Sequence, residues 1–520
     1  MARMPVCEAS RSDRGKLGTW LLPLAALTMA GIGLERLLED GSFWTDEAFI
    51  AVSLRDLPGT DLFGALGAGG NSFPRFYLLA LQGVMNVFGY ETLVLRALPF
   101  GFFLVASYVW LKLIFSRLRG FPLLAVLAFS LMLLATSWFA YSSMLKQYTF
   151  DVLLAALLFA LPDRRLEATM RDGRQLWLAV ALALPCALSY TYVIVLFGRL
   201  GGWWASQLSQ GEYRLSVRGI VTTGACVLGA LASLWLTDIQ FMADSVYGWW
   251  ATCTLGNDWS ATPKVLDGFA LGWYAGKQEF PIQGGLPEAV LWVLRGAFVL
   301  GVIQIARSLA GHTLYGASRS WGSRSTGALI VLLGLLGSSL LIDYPLCSGR
   351  LTLFALLPLQ IVLFEGFAGA HGWIEESRNL KKTSLALGVL WLCLVVPFSL
   401  RDAGRFIRAS APENVRPAFQ LIRGHGELSE LPIHFMPCLR PLVLALPESD
   451  LDFDMTLVSS GASIPWGQQV LAIEREWHPG LLYCFKASAA YEKASTTWES
   501  LHADGDSVRV FLAGFPPEQP

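Results

Sequence analysis

An all-α polytopic membrane bundle of about eleven transmembrane helices, with an interfacial helix in its first external loop and a small α/β extracytoplasmic domain at its C-terminal end, is the fold class that three features predict. Hydrophobic residues make up 54% of the 520 and charged residues only 15%, with a mean hydropathy of +0.49. That balance excludes an ordinary soluble enzyme. Apolar runs long enough to cross a bilayer recur along the chain, and lysine and arginine gather in alternate connections between them, as cytoplasmic loops require.

Spans of roughly 20 apolar residues read as helices over 17–38, 91–111, 121–140, 148–161, 175–188, 190–206, 219–236, 287–306, 326–342, 351–369 and 383–400, with 175–206 open to another division. The first follows Arg11, Arg14 and Lys16, yet it is long and no clear cleavage site follows it. It reads as a retained signal anchor. Residues 1–16 are then a cytoplasmic N-terminus and 17–400 the transmembrane region. One set of alternate connections holds nineteen lysines and arginines, among them Lys112, Arg117, Arg119, Arg218, Arg307, Arg319 and Arg324; the other holds six, Arg55, Arg75, Lys146, Lys264, Lys277 and Arg350. The asymmetry places the N-terminus on the cytoplasmic side of the membrane. An odd number of spans puts residues 401–520 outside.

The stretch "PRFYLLALQGVMNVFG", 74–89, cannot be a further span, because it would export the basic clusters at 164–174 and 307–324. Pro74 suits a helix start and Gly89 a stop, so the segment reads as a helix lying at the outer interface. Residues 39–90 thereby form one large external loop. Beyond 400 the chain turns polar: 411–426 looks helical, while "RPLVLAL" (440–446) and "SVRVFLAGF" (507–515) look like strands.

The first external loop opens on "SFWTDEAFIA", 42–51, where Asp46 and Glu47 stand among Phe43, Trp44, Phe49 and Ile50. Adjacent carboxylates flanking an outer helix commonly just solvate. In partly apolar surroundings, however, desolvation raises a carboxylate's basicity, which is what a general base acting on a hydroxyl needs. Lys146 and Arg350 fall at outer helix ends, where they either snorkel to headgroups or meet an anion. Arg96, Arg199 and Arg295 lie within apolar helices, Arg96 and Arg295 in the outer halves, and an intramembrane charge usually faces a partner or a wet cavity. Cations and a base on one face suit a phosphate-bearing substrate at the membrane surface.

Other chemistries find little support. A net charge of −1 leaves no basic excess for nucleic acid. No P-loop, dinucleotide fingerprint or paired-histidine zinc motif occurs. Asp450, Asp452 and Asp454 superficially resemble a metal-binding DxD site but read as a solvated strand edge. No metal site is assigned and no cofactor is implied. The adjacent carboxylates leave room for a divalent cation, without enough further oxygen ligands to specify one. Of eight cysteines, most read as small buried hydrophobes, and Cys438 and Cys484 admit a disulfide if their region is exported.

In order along the chain, "FWTDEAFIA", "NSFPRFYLLALQGVMNVFGYETLVLRALPF", "YSSMLKQYTFDVLLAALLFAL", "YPLCSGRLTLFALLP" and "ENVRPAFQLIR" are similar to the motifs of GT-C superfamily glycosyltransferases, the polytopic type that includes protein O-mannosyltransferases and lipid A aminoarabinose transferase. The resemblance runs from about residue 40 to 425 and implies a polyprenyl-phosphate sugar donor. It implies Asp46 as the essential first-loop aspartate, with Glu47 assisting. Lys146, Arg350 and Arg96 become candidates for the lipid phosphate, and Tyr77, Tyr148 and Arg295 further site candidates. The acceptor, a glycan, lipid or protein, is not specified. The pattern differs at Ser72 and Phe73, which stand for a histidine–proline, at Arg75, where an apolar residue is usual, and at Met144, where many relatives have an acid. Two other functions fit a polytopic bundle with buried arginines: a lipid-linked glycan flippase or transporter, and a non-catalytic subunit of an envelope-assembly complex.

The topology is testable by labelling. In a cysteine-free background, Gly69→Cys and Ser410→Cys should react with an impermeant maleimide in intact spheroplasts and Asp172→Cys should not. Labelling at 172 with protection at 69 would invert the assignment.

Overall fold

A computed structural model describes residues 11–38, 43–64, 73–118, 122–168, 176–241, 286–310, 319–346 and 350–376 almost without interruption, with isolated positions and five strands beyond them. The helices are α1 (Arg11–Leu38), α2 (Thr45–Asp56), α3 (Arg75–Phe88), α4 (Thr92–Arg117), α5 (Pro122–Leu134), α6 (Thr136–Ala140), α7 (Tyr148–Ala160), α8 (Asp163–Glu167), α9 (Leu176–Ala183), α10 (Tyr192–Leu208), α11 (Val217–Thr237), α12 (Glu288–Leu309), α13 (Arg319–Ile342) and α14 (Leu356–Glu376). Among the described residues six stretches are long and apolar enough to cross a membrane: Leu21–Leu38, Thr92–Arg117, Val217–Thr237, Glu288–Leu309, Trp321–Leu341 and Leu351–Trp373.

One expected span divides, and three return near their expected bounds as α7, α9 with the 3-10 turn after it, and α10, each bounded by a local feature. The segment 121–140 divides at Ala135, whose ψ of 69° leaves the helical region and separates α5 from α6. Helix α7 stops at Leu161 (φ −59°, ψ 127°), the extended conformation that Pro162 imposes on its predecessor. After α9 the chain tightens into a 3-10 turn, Leu184–Ala187, around Pro185, and α10 begins afresh at Tyr192. The run 383–400 lies largely outside the described residues.

Several helices run past their expected ends, which changes the setting of the cations counted as loop residues. Lys112 and Arg117 belong to α4, Arg218 to α11, Arg307 to α12, and Arg319 and Arg324 to α13. The apolar count missed these turns because a terminal arginine ends a hydrophobic run without ending a helix. The segment 74–89 forms one 14-residue helix, α3. The Tyr77 amide donates to the Pro74 carbonyl at 3.0 Å to open it. Gly89 closes it with φ 98°, a left-handed conformation that other residues resist.

Two compact units emerge: residues 1–37, 72–77 and 98–408 in one, and 38–71, 78–97 and 409–520 in the other. In the larger unit, helices α10 and α13 meet through Gly198, Gly202 and Gly327, and a Cβ on Gly202 would collide with the Gly327 backbone. Helices α12 and α14 meet likewise at Gly301 and Gly366, where an added Cβ would strike the Val362 or Ala297 carbonyl. Such absence of side chains is what lets apolar helices pack backbone to backbone. An aromatic core fills the space nearby: Trp138 lies 4.9 Å from Phe103 and 5.7 Å from Trp110, ring centre to ring centre, and its indole donates to Ser107 Oγ at 3.2 Å.

In the smaller unit the C-terminal residues form a five-stranded mixed sheet from β1 (Ile433–Phe435), β2 (Met455–Leu457), β3 (Gln469–Arg475), β4 (Trp498–His502) and β5 (Val508–Gly514), in the order β2-β1-β3-β5-β4. Strand β1 is parallel to β2 and β3, whereas β5 is antiparallel to β3 and β4. Strand β5 falls within the expected 507–515, and register sets its Leu512 and Val510 opposite Leu471 and Ile473 of β3. The helix expected over 411–426, the strand expected over 440–446 apart from Ala445, the aspartates 450–454, and Cys438 and Cys484 lie outside the described residues.

The glycine contacts predict a sharp contrast. Gly366→Val should lower the thermal unfolding midpoint in detergent, with a cost of about 1–3 kcal/mol or more for forced separation of α12 and α14. Gly337→Ala, where a Cβ meets nothing within 4 Å, should leave the midpoint unchanged.

Candidate functional site

Helix α2 carries the acidic pair and is anchored at both ends within the smaller unit. At its first turn Glu47 is fully buried, and its Oε2 lies 2.8 Å from Arg96 Nη2, from the second turn of α4. The Arg96 guanidinium also sits 5.5 Å from the Phe43 ring centre. A carboxylate and a guanidinium with such low exposure hold their charges by holding each other. At the other end, Gln82 of α3 donates to the Leu54 and Leu57 carbonyls at 3.1 and 2.7 Å and accepts from the Gly59 amide at 3.0 Å, meeting the carbonyls a helix end leaves open. Arg55 lies over the Tyr90 ring at 5.7 Å, and the Tyr90 hydroxyl donates to Ala445 O at 3.2 Å. Burial pushes the Tyr90 hydroxyl well above its ordinary value, Arg55 opposing and Asp56 adding to it. Asp46 lies on α2, its side chain outside the described residues.

In the larger unit three predicted residues come together. The short helix α6 ends at Tyr141 (φ −91°, ψ 3°), and a turn carries the chain to α7 at Tyr148. Lys146 sits in that turn at 6% exposure. Its Nζ lies 5.3 Å from the Phe73 ring centre and 5.7 Å from that of Tyr148, within cation–π range. The Tyr77 hydroxyl donates to the Lys146 carbonyl at 3.2 Å. Tyr77 in turn packs on Phe150 at 5.9 Å and Phe102 at 6.4 Å.

The remaining candidates are placed differently. Arg350 opens a 3-10 segment, Arg350–Ala355, its side chain outside the described residues. Arg295 pairs with Glu288 on its own helix at 2.6 Å, lies over Trp292 at 4.5 Å and is about a quarter exposed, so it is a surface pair of α12. Arg199 is fully buried, bonded to Asp163, to Ser323 Oγ at 2.8 Å and to Leu161 O at 3.3 Å. Among the described residues no three His, Cys, Asp or Glu side chains gather as a metal site would need.

Three polar groupings escaped the sequence reading. Arg75, fully buried, pairs with Asp238 at 2.8 Å, both side chains 1% exposed. Burial lowers the Arg75 guanidinium from its ordinary value and Asp238 opposes that. The bidentate pair Arg117–Glu365, at 2.9 and 3.0 Å, is joined at the carboxylate by the Trp321 indole and the Ser325 hydroxyl. Asp151, one turn into α7, accepts from the Ser189 and Thr191 hydroxyls, while its Oδ1 has no hydrogen-bond partner among the described residues. A signal did exist for the first: an arginine directly after Pro74, and an aspartate directly after an apolar run. Nothing in the sequence alone indicated that the two meet.

Charge removal should expose the Glu47–Arg96 dependence. Arg96→Met strands a buried carboxylate and should destabilise the protein by about 3–5 kcal/mol, whereas Arg96→Met with Glu47→Leu should recover most of the loss in thermal unfolding.

No family model matches the chain, and no curated protein does. Two crystal structures of ArnT from Cupriavidus metallidurans are similar over 95% of this chain and 97% of theirs: the one bound to undecaprenyl phosphate has a TM-score of 0.48 at 11% identity, and the apo one a TM-score of 0.44 at 12% identity.

Proposed function

We propose that this chain is an inner-membrane glycosyltransferase that moves a sugar from a polyprenyl-phosphate carrier to an extracytoplasmic glycan, lipid or protein acceptor. In this reading eleven helices cross the membrane with the N-terminus inside, and Asp46 faces the acceptor at the outer surface. Asp46 accepts the proton of the acceptor hydroxyl as its oxygen attacks the anomeric carbon. The bond from that carbon to the phosphate oxygen breaks, and its electron pair leaves with polyprenyl phosphate. One displacement from the opposite side inverts the configuration. Lys146 and Arg350 stabilise the negative charge on the departing phosphate.

The observation that carries this reading is the assembly of Lys146 and Tyr148, neighbours in one stretch of the chain, with Tyr77 from another. The arrangement of α2 supports a precise role for the acidic pair. Glu47 is committed to Arg96, so it orients the helix on which Asp46 stands, and Arg96 serves that structure instead of the lipid phosphate. A transporter would use cations along a path through both leaflets. Arg117 and Arg199 are instead tied to Glu365 and Asp163, which favours the enzyme.

Purified protein supplied with a series of radiolabelled polyprenyl-phosphate sugars and membrane extract should transfer label. Asp46→Asn should lower turnover by roughly 10²–10⁴ while undecaprenyl phosphate still binds. Wild-type transfer by that variant would remove Asp46 as base. Arg350→Ala should weaken undecaprenyl phosphate binding and Arg350→Lys restore it in part, because the planar fork is lost.

A further inference from the structure

We propose that Arg75, held by Asp238, is a positioning residue for Lys146, fixing the segment 73–77 that holds both the head and the backbone of the lysine. The inference rests on the reading of Lys146 as a ligand for the lipid phosphate.

The segment is anchored at two points to the end of α11. Arg75 Nη2 lies 2.8 Å from Asp238 Oδ1, and Arg75 Nε donates to the Thr237 carbonyl at 2.9 Å. The same Asp238 oxygen accepts from the Phe73 amide at 3.2 Å. One carboxylate therefore fixes both a side chain and the backbone two residues before it. From this anchored segment two groups reach Lys146: the Phe73 ring, 5.3 Å from Nζ, and the Tyr77 hydroxyl, 3.2 Å from the Lys146 carbonyl. Without the clamp, Phe73 would keep its chemistry but lose its fixed backbone.

A competing role is direct contact of Arg75 with a phosphate, since its Nη1 has no hydrogen-bond partner among the described residues. The two roles give Asp238 opposite signs. If Arg75 binds phosphate itself, neutralising Asp238 strengthens the cation and raises affinity. If Arg75 positions Lys146, neutralising Asp238 loosens the clamp and lowers it.

Undecaprenyl phosphate binding to the full chain in detergent, followed by tryptophan fluorescence, tests this in a double-mutant cycle. Arg75→Lys keeps the charge but not the fork and should weaken binding roughly tenfold, the loss that goes with a degraded charge-assisted hydrogen bond. Made in a Lys146→Ala background, the same change should alter affinity by less than about twofold, because coupled residues do not add. Asp238→Asn, nearly isosteric, runs the same cycle should Arg75→Lys fold poorly, and it too should weaken binding. Equal effects of Arg75→Lys in both backgrounds, unchanged affinity, or tighter binding by Asp238→Asn would overturn the proposal. Unchanged binding by Lys146→Ala alone would instead overturn the phosphate role of Lys146, and the positioning role with it; weakened binding there with no coupling to Arg75 would overturn the positioning role only.

Discussion

Buried arginines in apolar surroundings impose the constraint from which most of the described structure follows. A guanidinium cannot shed its proton and is costly to strip of water, so each one in the interior fixes a carboxylate beside it. Arg96 fixes Glu47, Arg75 fixes Asp238, Arg117 fixes Glu365 and Arg199 fixes Asp163. Each pair joins segments distant in sequence, and the penalty for breaking one exceeds what any surface pair returns. In a bundle whose helices gain little hydrophobic energy by touching one another, these pairs and the glycine contacts specify which helices meet. Lipid-like apolar surfaces alone would leave that choice open.

The two kinds of contact act together in the larger unit. Helix α13 shows both: Gly327 admits α10 at backbone distance, while Trp321, Ser323 and Ser325 of the preceding turns reach Glu365 and Arg199 on its neighbours. A close approach without the polar partners would be non-specific. The polar partners without the close approach would be too far apart to bond. The first turn of α3 shows a related economy, since Arg75 and Tyr77, two positions apart, reach Asp238 and the Lys146 carbonyl.

Much of this was legible in the residues. Hydropathy located the long helices, and proline and glycine correctly bounded α3, because a missing amide proton and a left-handed φ are local properties. The alternation of "VRVFLAG" located β5 for the same reason. Breaks were less legible: α5 ends at the backbone angles of Ala135 within an apolar stretch, and hydropathy is blind to them. Among the residues singled out in the sequence, Lys146, Tyr77 and Tyr148 lie together, and Glu47 pairs with Arg96. What could not be read was partnership across long separations. Arg75 and Asp238 stand 163 positions apart, Arg117 and Glu365 stand 248 apart, and one sequence carries no local trace of either meeting. Arg75 therefore looked like a departure from a family pattern when it was one half of a clamp.

The two cation types divide the work according to their chemistry. Arginine presents a rigid planar fork of donors and is the group suited to hold a carboxylate, a carbonyl and a neighbouring ring at once; Arg75, Arg117 and Arg199 each engage more than one acceptor. Lysine is a compact ammonium on a flexible stem, whose direction must be set by its surroundings. Lys146 receives that direction from the faces of Phe73 and Tyr148 and from the Tyr77 bond to its carbonyl. A ring face draws a cation without adding formal negative charge, so the aromatic setting orients the ammonium while keeping local potential positive relative to a carboxylate in the same place. For a group proposed to meet a lipid phosphate, that is the more useful support, and the order around residues 73–77 converges on that single turn.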